Sequence, residues 1–161
     1  MVSRCAIAET IKLMLPEKAT LFFQAPKMTK LKEASVGGRY QYTATSLGEP
    51  DERFNLSVYV EPIDCQYGKS LHDVTRCFVD RLNSIPGLKK GSDSPSCSKR
   101  RCDIFYVTTA TLGDKIVRQL HVTSLFTYRG AWVDVHLSAV NPKSEDSDTF
   151  ASFAASLEFM Q

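Results

Sequence analysis

The sequence has no apolar run approaching the roughly 20 residues that a membrane-spanning helix needs; stretches such as 13–15 and 21–23 are short. No membrane span is expected. Near the N-terminus, Glu9 and Lys12 interrupt the chain before the apolar centre of an export signal could form. That pattern fits a cytoplasmic protein, and equally a periplasmic one whose signal has been replaced by an initiating Met. Histidine is scarce, with three residues, and none stands in a His-Glu-x-x-His or Cys/His array with zinc spacing. Neither a metal nor a cofactor is expected. There is no nucleophile elbow, and Gly37-Gly38 lacks the Lys-Ser/Thr and helix of a phosphate-binding loop, so a hairpin or strand-start glycine pair is the plainer reading. Neither sign of charge dominates. The 20 basic and 18 acidic side chains leave a formal charge of +2, too balanced to mark nucleic acid as the main partner. Fixed-period repeats and low-complexity tracts are also missing.

What is present is an ordinary globular composition, 43% hydrophobic and 24% charged over 161 residues. A chain of this length supports one core that hides roughly 70% of the unfolded surface, without needing a metal or disulfide to fold. A single domain over 1–161 is expected, with 1–20 as an N-terminal extension of open structure. Five cysteines, Cys5, Cys65, Cys77, Cys97 and Cys102, are many for a cytosolic domain but too few for a disulfide scaffold. Cys97 and Cys102 flank a short loop and make a candidate bridge if the compartment is oxidising. Cys77 reads as a small apolar residue on a helix face. The odd count leaves at least one thiol unpaired in a monomer.

Helical spacing is clearest over 71–85, where Leu71, Val74, Cys77, Phe78, Leu82 and Ile85 recur on one stripe. Ser70 and Asp73 form a capping pair at its start, and Pro86-Gly87 supplies the stop. A second helix is expected over 149–157, with Phe150, Phe153, Ala154 and Leu157 inward and Glu145, Asp146 and Asp148 near its positive end. Between them, 104–112, 116–127 and 132–140 alternate as strands joined by hairpin-length connectors, which predicts a meander. Pairing Phe126 with Val133, Ser124 with Val135 and Val122 with Leu137 gathers an apolar face for a helix to cover. The opposite face collects a mixed set, Phe105, Val107, Gln119, His121, Thr123, Leu125, Trp132, Asp134, His136 and Ser138. Upstream, 38–46 and 54–60 read as a further hairpin across 47–52, bringing the sheet to five or more strands. Residues 1–35 are expected to give a short helix, on the spacing of Ile7, Ile11 and Leu15, then a strand near 21–24. The fold class is therefore α+β, an antiparallel sheet with helices packed on it.

Two surface features stand out as candidate contact sites. Lys89, Lys90, Lys99, Arg100 and Arg101 surround a Gly/Ser/Pro-rich loop and could grip an acidic partner, although a solvated loop is the plainer reading because no aromatics interleave the cations. Tyr128 and Trp132 flank the hairpin tip at Arg129-Gly130, and aromatic residues beside Arg are a common interface composition. The proposed register also makes His121 and His136 diagonal neighbours, with Asp134 and Ser138 nearby. Histidines on a half-exposed sheet face more often pack or hydrogen-bond than catalyse. The Asn55-Leu56-Ser57 glycosylation pattern lies inside an expected strand and carries no weight.

The element order, with 71–88 (LHDVTRCFVDRLNSIPGL) and 150–159 (FASFAASLEF) on either side of the meander, resembles the PsbP-like α/β/α sandwich superfamily. The likeness spans about 20–159 and rests on element order and hydrophobic pattern, so no functional residue is carried over. That superfamily includes a photosystem extrinsic subunit, a nuclear import factor that binds a small GTPase, and chaperones for toxins exported by the type VI secretion system. The resemblance implies a non-enzymatic bacterial protein-binding module, such as an immunity protein or chaperone for a secreted toxin. Its expected contact residues are Tyr128, Arg129, Trp132, Lys99, Arg100 and Arg101. The alternatives are a hydrolase or metal-dependent enzyme built on His121, His136 and Asp134, and a small-ligand carrier with a pocket between sheet and helix.

Overall fold

The computed structural model of the chain describes residues 8–46, 54–86 and 94–161. In chain order the strands are β1 (Ala8–Met14), β2 (Thr20–Pro26), β3 (Met28–Val36), β4 (Arg39–Ser46) and β5 (Phe54–Pro62). Helix α1 (Leu71–Asn83) follows, then β6 (Ser96–Cys97), β7 (Cys102–Leu112), β8 (Lys115–Tyr128) and β9 (Ala131–Val140). Helix α2 (Asp146–Ser156) and β10 (Glu158–Met160) complete the order. Seven strands form one antiparallel sheet in the order β3-β4-β5-β9-β8-β7-β6, and three form a small sheet in the order β1-β2-β10.

The expected meander is β7-β8-β9. Its register places Phe126 opposite Val133, Ser124 opposite Val135 and Val122 opposite Leu137, as the apolar alternation predicts. The upstream hairpin is β4-β5, paired from Tyr40↔Val60 to Thr45↔Asn55; its expected connector at 47–52 lies outside the described residues. On one face, Phe54, Leu56, Val58 and Val60 of β5 join Val133, Val135 and Leu137 of β9 in the main core. That face is covered by α2, through Phe150 and Phe153, and by the small sheet, through Leu13, Leu21 and Phe23. The covering layer is thus a helix beside three strands, more β-rich than helices on both faces would give.

Helix α1 covers part of the other face. Ser70 and Asp73 form the expected capping box, in which Ser70 Oγ accepts from the Asp73 N–H at 3.1 Å and Asp73 accepts from the Ser70 N–H at 3.1 Å. Leu82, with Phe78 and Val79 beside it, packs on Ile104, Tyr106, Leu125 and Trp132. The helix ends at Asn83, leaving Ile85 exposed beyond it.

Three expectations change. Residues 8–14 form a strand, because Ile11 and Leu13 alternate inward while seven residues pair with β2; the i, i+4 spacing of Ile11 and Leu15 fits either period. Phe105 lies opposite Val122 and therefore points, with Val107, to the main core; Ile104, Tyr106 and Thr108 take their places on the mixed face. Cys77 is bridged to Cys65 with Cα atoms 6.0 Å apart, which ties α1 to the segment after β5. Cys97 and Cys102 form the second bridge, as expected. Cys5 lies outside the described residues. Gly37 and Gly38 turn the chain between β3 and β4 with φ of 59° and 78°, values that favour glycine.

Candidate functional site

The β6-β7 turn carries the basic residues singled out in the sequence. The Cys97–Cys102 bridge closes it, and Ser98 organises it: its N–H donates to the Arg101 carbonyl at 2.8 Å, while its Oγ accepts from the Arg100 and Arg101 N–H groups at 3.3 and 3.1 Å. Lys99 and Arg100 project into solvent from this fixed turn. Arg101 folds back, pairing with Asp103 at 3.1 Å and donating to the Leu157 carbonyl at 3.2 Å. Lys89 and Lys90 lie outside the described residues.

Beneath the turn is a groove of about 810 Å³, floored by Phe126, Leu157, Phe159 and Met160 and rimmed by Ser98, Lys99, Arg100 and Arg101. Two strand edges open onto it. Among the described residues β10 pairs with β2 alone, which leaves its other edge open. Phe126 and Thr127 of β8 pair with β9 on one side, but β7 begins at Cys102, opposite Leu125, and leaves their other side without a strand among the described residues. The groove therefore combines open strand edges, an apolar floor and two exposed cations, Lys99 and Arg100, that make no ion pair among the described residues.

The aromatic hairpin tip is not a single cluster. Trp132 lies opposite Thr127 and Tyr128 opposite Ala131, so the two rings point to opposite faces. Tyr128 is 6% exposed and donates its hydroxyl to the Pro16 carbonyl at 3.1 Å. Burial raises its pKa, with Glu17 adding to the effect. Arg129 pairs with Glu17 at 3.1 Å across exposed surface. Both residues tie the β8-β9 turn to the β1-β2 turn. Trp132 instead sits under α1, its ring 6.5 Å from that of Phe78 and 5.6 Å from the Arg81 guanidinium.

The histidine neighbours are brought together. His121 Nδ1 lies 3.0 Å from His136 Nε2, and His121 Nε2 lies 2.8 Å from Thr108 Oγ1. Tyr106 stacks on His121 at 4.6 Å with an interplanar angle of 5°. Burial lowers the His121 pKa to about 4, and burial together with His121 lowers that of His136 to about 3. The pair is neutral near pH 7, with both nitrogens of His121 and Nε2 of His136 within hydrogen-bond reach of neighbours. Asp134 bonds to neither histidine. Its Oδ1 is enclosed without a hydrogen-bond partner among the described residues, and burial, reinforced by Glu61 and partly opposed by Arg81, pushes its pKa up to about 7. Burial likewise raises the Tyr106 pKa, to about 12. Among the described residues no group of His, Cys, Asp and Glu has the arrangement of a metal site. Sequence reasoning missed the cleft between α1 and the sheet, where Arg81, Phe78, Tyr59 and Glu61 surround Trp132 and Asp134. Periodicity along one element does not show which side chains of another lie across from it.

No family model matches the chain, and no match is found among curated proteins. Solved structures do show the fold. LpqN, a Mycobacterium tuberculosis protein involved in cell envelope biogenesis, is similar with a TM-score of 0.55 and 14% identity, over 96% of this chain and 92% of LpqN. A Bacteroides thetaiotaomicron VPI-5482 protein is similar with a TM-score of 0.50 and 9% identity, over 93% of this chain. The chain spans about half that protein's length, 48%. Identities this low establish shared architecture alone.

Proposed function

We propose that this chain is a non-enzymatic protein-binding module of an oxidising extracytoplasmic space such as the periplasm, and that the groove under the β6-β7 turn is its contact site. The PsbP-like reading of the fold, and a secreted toxin as the bound protein, belong to this proposal. The observation that carries it is the groove: exposed Lys99 and Arg100 overhang Phe126, Phe159 and Met160 between two open strand edges. An extended segment with alternating acidic and apolar side chains fits that combination. Its backbone would add to a strand edge, and its side chains would meet the cations and the floor. Two disulfides support the compartment, since such bonds persist where the medium is oxidising. LpqN's part in cell envelope biogenesis is in keeping with that setting.

The test is site-specific photo-crosslinking in the native host, with the reactive residue at Thr127 or Met160 and a control at Leu112 on the far β7-β8 tip. One protein should be captured from the groove positions through a peptide rich in Asp or Glu. Equal capture from Leu112, or capture through a basic peptide, would overturn the proposal.

A further inference from the structure

Where α1 leans on the large sheet, a wall of Glu61, Phe78, Arg81 and Trp132 is shared by two hollows of about 180 and 370 Å³. The smaller one abuts the Cys65–Cys77 bridge. The larger one is within the size range of small-molecule sites, and to that wall it adds the rings of Tyr59 and Tyr106 and the carboxyl of Asp134. Sheet pairing fixes this grouping: Tyr59 is opposite Asp134 and Glu61 opposite Trp132 on the adjoining strands β5 and β9. The two acids are therefore diagonal neighbours on one face.

Two features indicate what the hollow lacks. Asp134 Oδ1 is enclosed without a donor, although buried polar atoms in folded proteins are nearly always satisfied. Arg81, exposed on α1, lays its guanidinium over Trp132 but makes no ion pair with Glu61 or Asp134 among the described residues. The aromatic wall is thus suited to a cation, and Arg81, which only partly offsets the Asp134 charge from a distance, makes no hydrogen bond or ion pair with either carboxylate among the described residues.

We propose that the larger hollow is a binding site for a small organic primary amine, whose ammonium group would sit between Asp134 and Glu61 and whose carbon chain would lie against Tyr59, Phe78, Tyr106 and Trp132. Each part of such a ligand meets a matching group. The ammonium supplies the donors that Asp134 lacks, and the apolar stem replaces water on the rings. The site is separate from the basic groove, so it stands or falls independently of the protein partner.

Trp132 is the only tryptophan, so intrinsic fluorescence reports on the hollow directly. Titration with butylammonium chloride at pH 8 should give a saturable change, and neutral 1-butanol at the same concentrations should give none. Asp134→Asn, which removes the charge while keeping the shape, should weaken butylammonium binding by about tenfold or more, as expected for a desolvated charge pair. Thermal unfolding of Asp134→Asn would verify that the variant folds. An equal response to 1-butanol, no saturable response to butylammonium, or unchanged affinity in a folded Asp134→Asn would each overturn the proposal.

Discussion

Tyr128 and Asp134 show how burial changes the part a residue plays. Tyr128 looks in sequence like an interface aromatic, yet its hydroxyl closes a contact between two turns. Replacing it with Phe should cost about 1 kcal/mol in chemical denaturation, the net worth of one hydrogen bond, and leave partner binding unchanged. The neighbouring Arg129–Glu17 pair has side chains 62% and 65% exposed, so Arg129→Ala should shift stability very little. Asp134 governs pH dependence together with the histidine pair. Its folded pKa of about 7 lies above its ordinary 3.8, so its contribution to stability is complete below the lower value and is lost as pH rises through 7. His121 and His136 act in the opposite sense. Their folded values of about 4 and 3 lie below the ordinary 6.5, so their contribution is present above 6.5 and lost as pH falls through the folded values. These three groups together place maximal stability near pH 7, with the histidines dominating below it. Urea midpoints in the wild type should rise between pH 5 and 6.5 and change little from pH 7 to 8, and in Asp134→Asn the rise should be at least twice as steep because the histidines then act without the opposing carboxyl; identical profiles would contradict the assignment.

At the scale of elements, much was legible because single-element periodicity and local capping decide it. The α1 cap, the β8-β9 register and the inward face of α2 all follow from spacing within a few dozen residues. The Cys97–Cys102 bridge was legible for the same reason, since both cysteines flank one turn. What escaped depends on distant pairing. Cys65 lies before α1 and its partner on it, and nothing in the helical stripe distinguishes Cys77 as a bridge from Cys77 as a packing residue. The β1 strand escaped because its two inward residues suit two periods, and pairing with β2 decides between them. The site divided along the same line: Lys99, Arg100 and Arg101 were visible as a charge cluster, but the groove beneath them is made by β10, far along the chain. The Cys65–Cys77 bridge closes a separation of 12 residues, for which loop-closure entropy predicts about 3 kcal/mol. A Cys65→Ala/Cys77→Ala variant should therefore lose about that much stability. Hydrogen exchange should show α1 amides losing protection before those of β5 and β9, and uniform loss would contradict a local staple.

For the whole molecule, the two layers covering the large sheet have different consequences. The main core runs between α2, the small sheet and strands β4, β5, β8 and β9. Phe150 is fully buried there, and Phe150→Ala should cost about 3 to 5 kcal/mol through lost burial and the cavity left behind. Helix α1 covers less of its face, so hollows remain under it, while the short β10 leaves a groove at the junction of the two sheets. Function on this account resides where coverage is incomplete. The central claim is that the groove's cations hold an acidic segment, and charge reversal with measured affinity tests it most directly. Against the partner captured through Thr127 or Met160, Lys99→Glu/Arg100→Glu should bind about tenfold or more weakly and lose most of its salt dependence, while the charge-matched Lys115→Glu/Arg118→Glu on the far hairpin should bind like the wild type. Equal affinity for all three proteins, or equal weakening by both reversals, would contradict the account.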